Sequence, residues 1–267
     1  MADLPTVLPI AKVVDEAKDL RTFLFHHALD ARPGQFLHVW LPGVDEKPFS
    51  ISYQEPDRFG FTVMKVGPFT TRLFELKAGD KLGIRGPYGN GFSLNGEKTV
   101  AIVSGGCGCA PVAPLAELAH QRGVKVCFVT GARSRDSLLF VRRMGLAGVE
   151  TLIATDDGTY GAKGFVTDLF ASLVKLRDFD KVYACGPERM LWRMFEICEA
   201  RKLPCELSLE RYMKCAFGVC GSCALDGTGW LVCKDGPVFS GDQLRRVPEF
   251  GQYRRDATGK VVSLESR

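Results

Sequence analysis

Long hydrophobic runs are missing from this 267-residue sequence, and so is any strong excess of one charge. One uncharged stretch, Thr99 to Ala116, is broken by Gly105, Gly106, Gly108, Pro111 and Pro114. It reads as strand, glycine loop and helix rather than a membrane span. The first twenty residues have no basic segment and no long apolar segment, so no secretory signal is expected. Lys and Arg number 35 against 31 Asp and Glu, a net charge of +4, too balanced to argue for a nucleic-acid binder. Histidine is scarce, with four in the chain and none after His120. Ten cysteines in this length fall short of a disulfide scaffold. A reducing, cytoplasmic setting is therefore expected, where clustered cysteines serve as metal ligands or redox groups. Repeats and low-complexity tracts are absent. What is present is the ordinary globular mix, 46% hydrophobic and 25% charged, at a length expected for about two domains.

The grammar of the chain changes twice. Residues 1–97 read as all-β. Runs such as Gln35 to Trp40, Phe49 to Tyr53 and Gly60 to Val66 are bounded by turn signals at Pro33-Gly34, Pro42-Gly43, Gly79-Asp80, Gly86-Pro87 and Gly89-Asn-Gly91. Strands of this spacing predict a small barrel, with one short helix over Thr70 to Leu76. Residues 98–206 alternate strands and helices: strands at 99–104, 125–130, 150–155 and 181–185, helices at 110–121, 136–144, 164–176 and 188–201. That alternation predicts βαβ units and a parallel sheet. Residues 207–267 hold four cysteines and then a polar tail. The fold class expected is a multidomain β plus α/β chain.

Cys215, Cys220, Cys223 and Cys233 follow the spacing C-x4-C-x2-C-x9-C. This is the plant-type [2Fe–2S] pattern, with three thiolates from one turn and the fourth from a later segment. Gly218 and Gly221 suit a chain that wraps a cluster and offers it N–H groups. A structural zinc site favours two C-x2-C knuckles or their histidine variants, and neither is present here.

Ser104-Gly-Gly-Cys107-Gly108 links a strand to a helix, and Gly106-x-Gly108 allows a pyrophosphate to approach a helix N-terminus. The third glycine of the dinucleotide fingerprint is replaced by Pro111, and no acidic residue follows the second strand, where Gly131-Ala-Arg133 stands. A second strand, Tyr183 to Cys185, also ends at a glycine, Gly186. Two such strand ends in one open sheet point to a nucleotide site, although a tight strand-to-helix turn explains either alone. Cys107, Cys109 and Cys185 read equally as packed thiols.

Taken in order, these segments resemble the ferredoxin–NADP reductase superfamily and, within it, the electron-transfer subunits of dihydroorotate dehydrogenase B. The motifs are Pro33-Gly-Gln-Phe36, Lys47-Pro-Phe-Ser-Ile-Ser52, Gly86-Pro-Tyr-Gly-Asn-Gly-Phe92, Gly106-x-Gly108-x-x-Pro111, Thr155-Asp-Asp-Gly158, Ala184-Cys-Gly-Pro187 and Cys215 to Phe239. The resemblance implies an FAD-binding barrel in 1–97, an NAD-binding α/β domain in 98–206 and a [2Fe–2S] domain in 207–267. It implies FAD contacts at Lys47, Pro48, Phe49, Ser50, Met64, Lys65, Val66, Thr70 and Thr71. Lys47 stands where the family usually has arginine, and Phe69 replaces a glycine. It implies NAD, as a substrate, at Gly105, Gly106, Gly108, Asp157, Cys185, Gly186, Pro187 and Glu188. The implied partner is the FMN-containing catalytic subunit of dihydroorotate dehydrogenase, in a heterotetramer with two of each chain, serving pyrimidine biosynthesis. No residue reads as a base for dihydroorotate, so the chain is expected to move electrons and not to oxidise dihydroorotate alone. The same scaffold also serves the flavin subunit of a sulfhydrogenase or a ferredoxin–NADP transhydrogenase.

Overall fold

The computed structural model describes residues 4–264. The first part of the chain forms β1 (Thr6–Pro9), β2 (Lys12–Ala17), β3 (Leu20–Phe25), β4 (Phe36–Leu41), β5 (Asp45–Glu55), β6 (Arg58–Met64), α1 (Pro68–Leu73) and β7 (Lys81–Tyr88). The strands pair antiparallel in the order β1-β7-β4-β5-β6-β3-β2. The edge strands are consecutive in sequence, and the residues between them bind both sides. Ile10 N–H donates to the Asp80 carbonyl and Ala11 N–H to the Leu24 carbonyl. The sheet is thus curled almost into the expected barrel. Its interior is aromatic, with Phe23, Phe25, Phe59 and Phe61 fully buried and stacked at 5.1–5.8 Å between ring centroids. Burying each such ring contributes about 1.5–3 kcal/mol.

The second part begins with β8 (Thr99–Gly105), α2 (Cys109–Gln121), β9 (Lys125–Ala132), α3 (Val141–Leu146), β10 (Glu150–Thr155), β11 (Ala162–Lys163), α4 (Val166–Leu173), β12 (Lys181–Cys185), α5 (Glu188–Arg201) and β13 (Cys205–Ser208). After the cysteine loop come β14 (Val238–Ser240), α6 (Gly241–Leu244), β15 (Tyr253–Arg255) and β16 (Val261–Ser263). The second sheet runs β11-β10-β9-β8-β12-β13-β14, parallel except for β14. Its central strands β8, β9 and β12 are nearly continuous buried apolar runs, as a sheet covered on both faces requires.

Two expectations need correction. The helix expected over 136–144 is broken: a 3₁₀ turn covers Arg135–Ser137, Phe140 adopts a left-handed φ of 61°, and α3 starts only at Val141. Tertiary packing explains the break. Phe140 is buried, edge-on to Tyr53 of the barrel at 5.4 Å and under the Arg143 guanidinium at 4.7 Å. The polar tail expected after the cysteines is instead anchored. β14 joins the second sheet, Val247 and Phe250 are buried, and β15 pairs with β16. Strand β13 crosses the boundary expected at 206/207, so the cysteine loop is an excursion from one continuous sheet.

The barrel and second sheet are firmly joined. Arg143 of α3 donates to the Ser52 carbonyl at 2.7 Å and lies 3.7 Å from the Tyr53 ring. Tyr183 OH and Lys181 Nζ hold Ser93 in the connecting segment. Among the described residues no helix is long and apolar enough to cross a membrane.

Candidate functional site

The four cysteines lie on the loop between β13 and β14, folded against the barrel. Asn90 fixes this packing. Its N–H donates to the Gly236 carbonyl at 2.5 Å, and its side-chain amide donates to the carbonyls of Lys234 and Asp235 at 3.2 and 3.0 Å. At Gly89, φ is +75° and a Cβ would lie 2.6 Å from Pro237, so only glycine admits this approach. Tyr212 meets Lys47 (5.9 Å) and Phe217 meets Arg85 (6.0 Å), which bring the loop onto the face of β5 and β7.

Within the loop, Cys220 is exposed, Cys215 half-buried, and Cys223 and Cys233 buried. The Cys233 N–H donates to the Cys223 sulfur at 3.4 Å. Left-handed backbone at Ala216, Gly218 and Gly221 turns the segment back on itself, with φ of 73°, 86° and 69°. Burial acts to raise the Cys215 thiol, but the backbone N–H groups of Cys220, Val219 and Phe217 outweigh it and bring it down to about 6. Burial, reinforced by the neighbouring Cys223, pushes the Cys233 thiol up to about 12, against a backbone N–H from Gly218. Amides aimed at sulfur are the environment that thiolate ligands of an iron–sulfur cluster need. Four cysteines on one loop, with backbone amides directed at Cys215, fit an iron–sulfur cluster.

Lys47, Pro48, Phe49 and Ser50 are half-buried on β5, in register with Val39, His38, Leu37 and Phe36 of β4. Lys47 pairs with Asp45 at 2.5 Å, so an incoming phosphate competes with a carboxylate. Met64 and Val66 are 40% and 71% exposed beside α1, an uncovered apolar surface that suits a flavin ring. The Thr70 hydroxyl accepts from the N–H groups of Val66 and Gly67 and donates to the Gly67 carbonyl, closing the turn into α1. Thr71 is half-buried one residue further along the same helix. Lys65 lies 5.8 Å from the Phe74 ring.

The two glycine-bearing strand ends lie side by side, since β8 pairs directly with β12. A Cβ on Gly108 would lie 2.4 Å from the Cys185 carbonyl oxygen, and Cβ atoms on Gly105 and Gly186 would lie 2.5 and 2.6 Å from the Met190 sulfur. Close packing of β8, β12 and α5 thus accounts for these three glycines. Gly106 differs, with φ +55° and open space where a Cβ would stand, so its backbone faces outward beside exposed Cys107. Cys185 is half-buried and its thiol is raised by burial. Asp157 accepts from the Thr159 hydroxyl and N–H, which lower its carboxyl and cap its own loop.

Glu188 is committed elsewhere. With Pro187 before it, it starts α5, and its carboxylate forms a bidentate pair with Arg211 at 2.7 and 2.9 Å. Arg211 also binds Glu249, which is 1% exposed and accepts the Asp226 N–H. This buried Arg–Glu–Glu set ties α5, the start of the cysteine loop and the C-terminal segment together. Sequence reading missed Arg211 and Glu249, which carry no motif. It also missed His38, whose only signal was a polar residue within the apolar run Phe36 to Trp40.

Comparison with known proteins bears on this geometry. Residues 210–245 match the model of the iron-sulfur cluster binding domain of dihydroorotate dehydrogenase B. The chain is 47% identical over 264 residues to the probable dihydroorotate dehydrogenase B (NAD(+)) electron transfer subunit of Methanothermobacter thermautotrophicus, covering 97% of this chain and 98% of that one. It is 43% identical over 258 residues to the corresponding protein of Methanocaldococcus jannaschii, again covering 97% and 98%. The chain belongs to the family of dihydroorotate dehydrogenase B electron transfer subunits. A solved NADH-dependent reduced ferredoxin-NADP oxidoreductase superposes with a TM-score of 0.82 at 30% identity, covering 92% of this chain and 94% of that one. Phthalate dioxygenase reductase, at 21% identity and a TM-score of 0.63 over 73% of this chain and 64% of that one, shares the fold.

Proposed function

We propose that this chain is the electron-transfer subunit of a dihydroorotate dehydrogenase B, passing electrons from the FMN of a catalytic partner through a [2Fe–2S] cluster and FAD to NAD. The observation that carries this is the amide-lined cysteine loop seated directly on the flavin-type barrel face. Bound FAD would supply the chemistry that joins two-electron exchange with a nicotinamide nucleotide to one-electron exchange with the cluster.

The chain's own residues supply the positions. Cys215, Cys220, Cys223 and Cys233 hold the cluster, and the amides of Phe217, Val219 and Cys220 stabilise the anionic sulfur. Lys47, Pro48, Phe49 and Ser50, with Met64, Lys65, Val66 and Thr71, form the FAD surface, while Thr70 holds its shape. Gly106 and Asp157, at the ends of β8 and β10, would contact the nucleotide, while Gly105, Gly108, Cys185, Gly186 and Pro187 set the close contact of the strand ends. Glu188 acts by fixing Arg211. The working parts are residues 1–97 for FAD, 98–206 for NAD and 207–267 for the cluster, although one sheet runs through the last two. The exposed Phe217, Val219 and Cys220 give the partner its docking edge, in a cytoplasmic assembly of two chains of each kind.

The test is reconstitution. Mixed with its catalytic partner, the chain confers NAD-dependent oxidation of dihydroorotate; alone, it oxidises NADH with an artificial acceptor but leaves dihydroorotate untouched. A chain that confers no NAD-dependence contradicts the proposal. Ferredoxin-linked NADPH turnover would instead favour the oxidoreductase that it superposes on.

A further inference from the structure

We infer that His38 is a positioning residue for the iron–sulfur cluster, its Nε2–H donating a hydrogen bond to a cluster sulfur. Strand alternation sets its direction. Leu37 and Val39 fill the barrel core, so His38 and Phe36 point to the opposite face. That face is covered by the cysteine loop. Phe36 shares a buried core with Ala216, Cys223 and Cys233, Tyr88 packs against the same core, and Arg85 meets the Phe217 ring at 6.0 Å. The His38 ring is fully buried between these neighbours, 6.0 Å from each of the Phe36 and Tyr88 rings.

The polar contacts of His38 lie on the Nδ1 edge of its ring. Its Nδ1 lies 3.4 Å from Arg85 Nη2 and 3.4 Å from Glu46 Oε2. Glu46 is already engaged by Arg85 through two hydrogen bonds at 2.7 and 2.6 Å. Because a guanidinium only donates and Glu46 already accepts from it twice, we assign Nδ1 as the acceptor of Arg85 and place the hydrogen on Nε2. Burial, with the Arg85 and Lys47 cations, holds the imidazole neutral against the pull of Glu46. The Nε2 atom is then a donor, and it is the one buried side-chain nitrogen or oxygen among the described residues without a partner. Buried donors are satisfied in native proteins, so an acceptor belongs there. Sulfur of an anionic cluster is such an acceptor, and a hydrogen bond to it favours the reduced, more negative state.

This inference rests on Cys215 to Cys233 holding the cluster, and the experiment separates the two. Wild-type holoprotein, His38→Leu, His38→Gln and His38→Asn are purified anaerobically, assayed for iron and sulfide, and titrated by EPR-monitored and optical potentiometry. His38→Leu shifts the cluster midpoint to a more negative value and alters its g values, with the flavin midpoint unchanged. His38→Gln, whose amide reaches about as far, restores most of the shift, and the shorter His38→Asn does not. If His38→Leu fails to fold, the Gln and Asn pair carries the comparison. An unchanged cluster midpoint in these variants, or a shift confined to the flavin, overturns the assignment. Wild-type protein without iron overturns the cluster reading itself and this inference with it.

Discussion

Arg211→Met isolates the buried ion set. The Arg211 side chain is 4% exposed, and its partners Glu188 and Glu249 are 11% and 1% exposed. Removing the cation leaves two carboxylates facing each other with little water. Breaking a buried pair in this way costs about 3–5 kcal/mol. For a chain of this size that corresponds to a fall in the apparent melting temperature on the order of 10 °C. Thermal unfolding of the holoprotein, followed by circular dichroism, measures it. The triple variant Arg211→Met, Glu188→Gln, Glu249→Gln removes the stranded charges and recovers at least half of the loss, because the three residues act as a unit. A melting temperature for Arg211→Met within about 2 °C of wild type would refute the reasoning. So would a triple variant less stable than the single one.

Other outcomes follow from the same geometry. Cys220→Ser abolishes the cluster absorbance and leaves the flavin spectrum intact; retention of both contradicts the ligand assignment. Lys47→Ala lowers the FAD content after dialysis, and an unchanged content removes Lys47 from the site. Gly108→Ala drives a Cβ to 2.4 Å from the Cys185 carbonyl oxygen, so β8 and β12 must part. It weakens NADH-dependent reduction of an artificial acceptor more than tenfold and lowers the melting temperature, whereas wild-type kinetics would show that the strand ends tolerate separation. Gly106→Ala, which meets nothing, lowers the melting temperature less than Gly108→Ala, by the strain of its φ of +55° alone.

The parts legible in the sequence were those with periodic or motif-level signals. The long apolar strands β8, β9, β10 and β12 and the helices α2 and α5 lie within two residues of their expected positions at each end. The cysteine spacing announced the loop. What escaped were elements stabilised by partners distant in sequence. β14 has three residues and exists because β13 offers it an edge. Phe140 breaks a helix that local pattern favours, because Tyr53, far earlier in the chain, holds its ring. Glu188 reads as a nucleotide contact from its place after Gly186-Pro187, and only the fold reveals Arg211 beside it. Thr70 reads as a phosphate contact, yet its hydroxyl closes the turn into α1.

The most direct test of the central claim is the metal content and spin signal of the protein itself. Anaerobically purified chain reduced with dithionite is expected to contain about two irons and two acid-labile sulfides and to give a rhombic EPR signal that disappears in Cys220→Ser. Protein devoid of iron, or carrying a single zinc with no EPR signal, would contradict it.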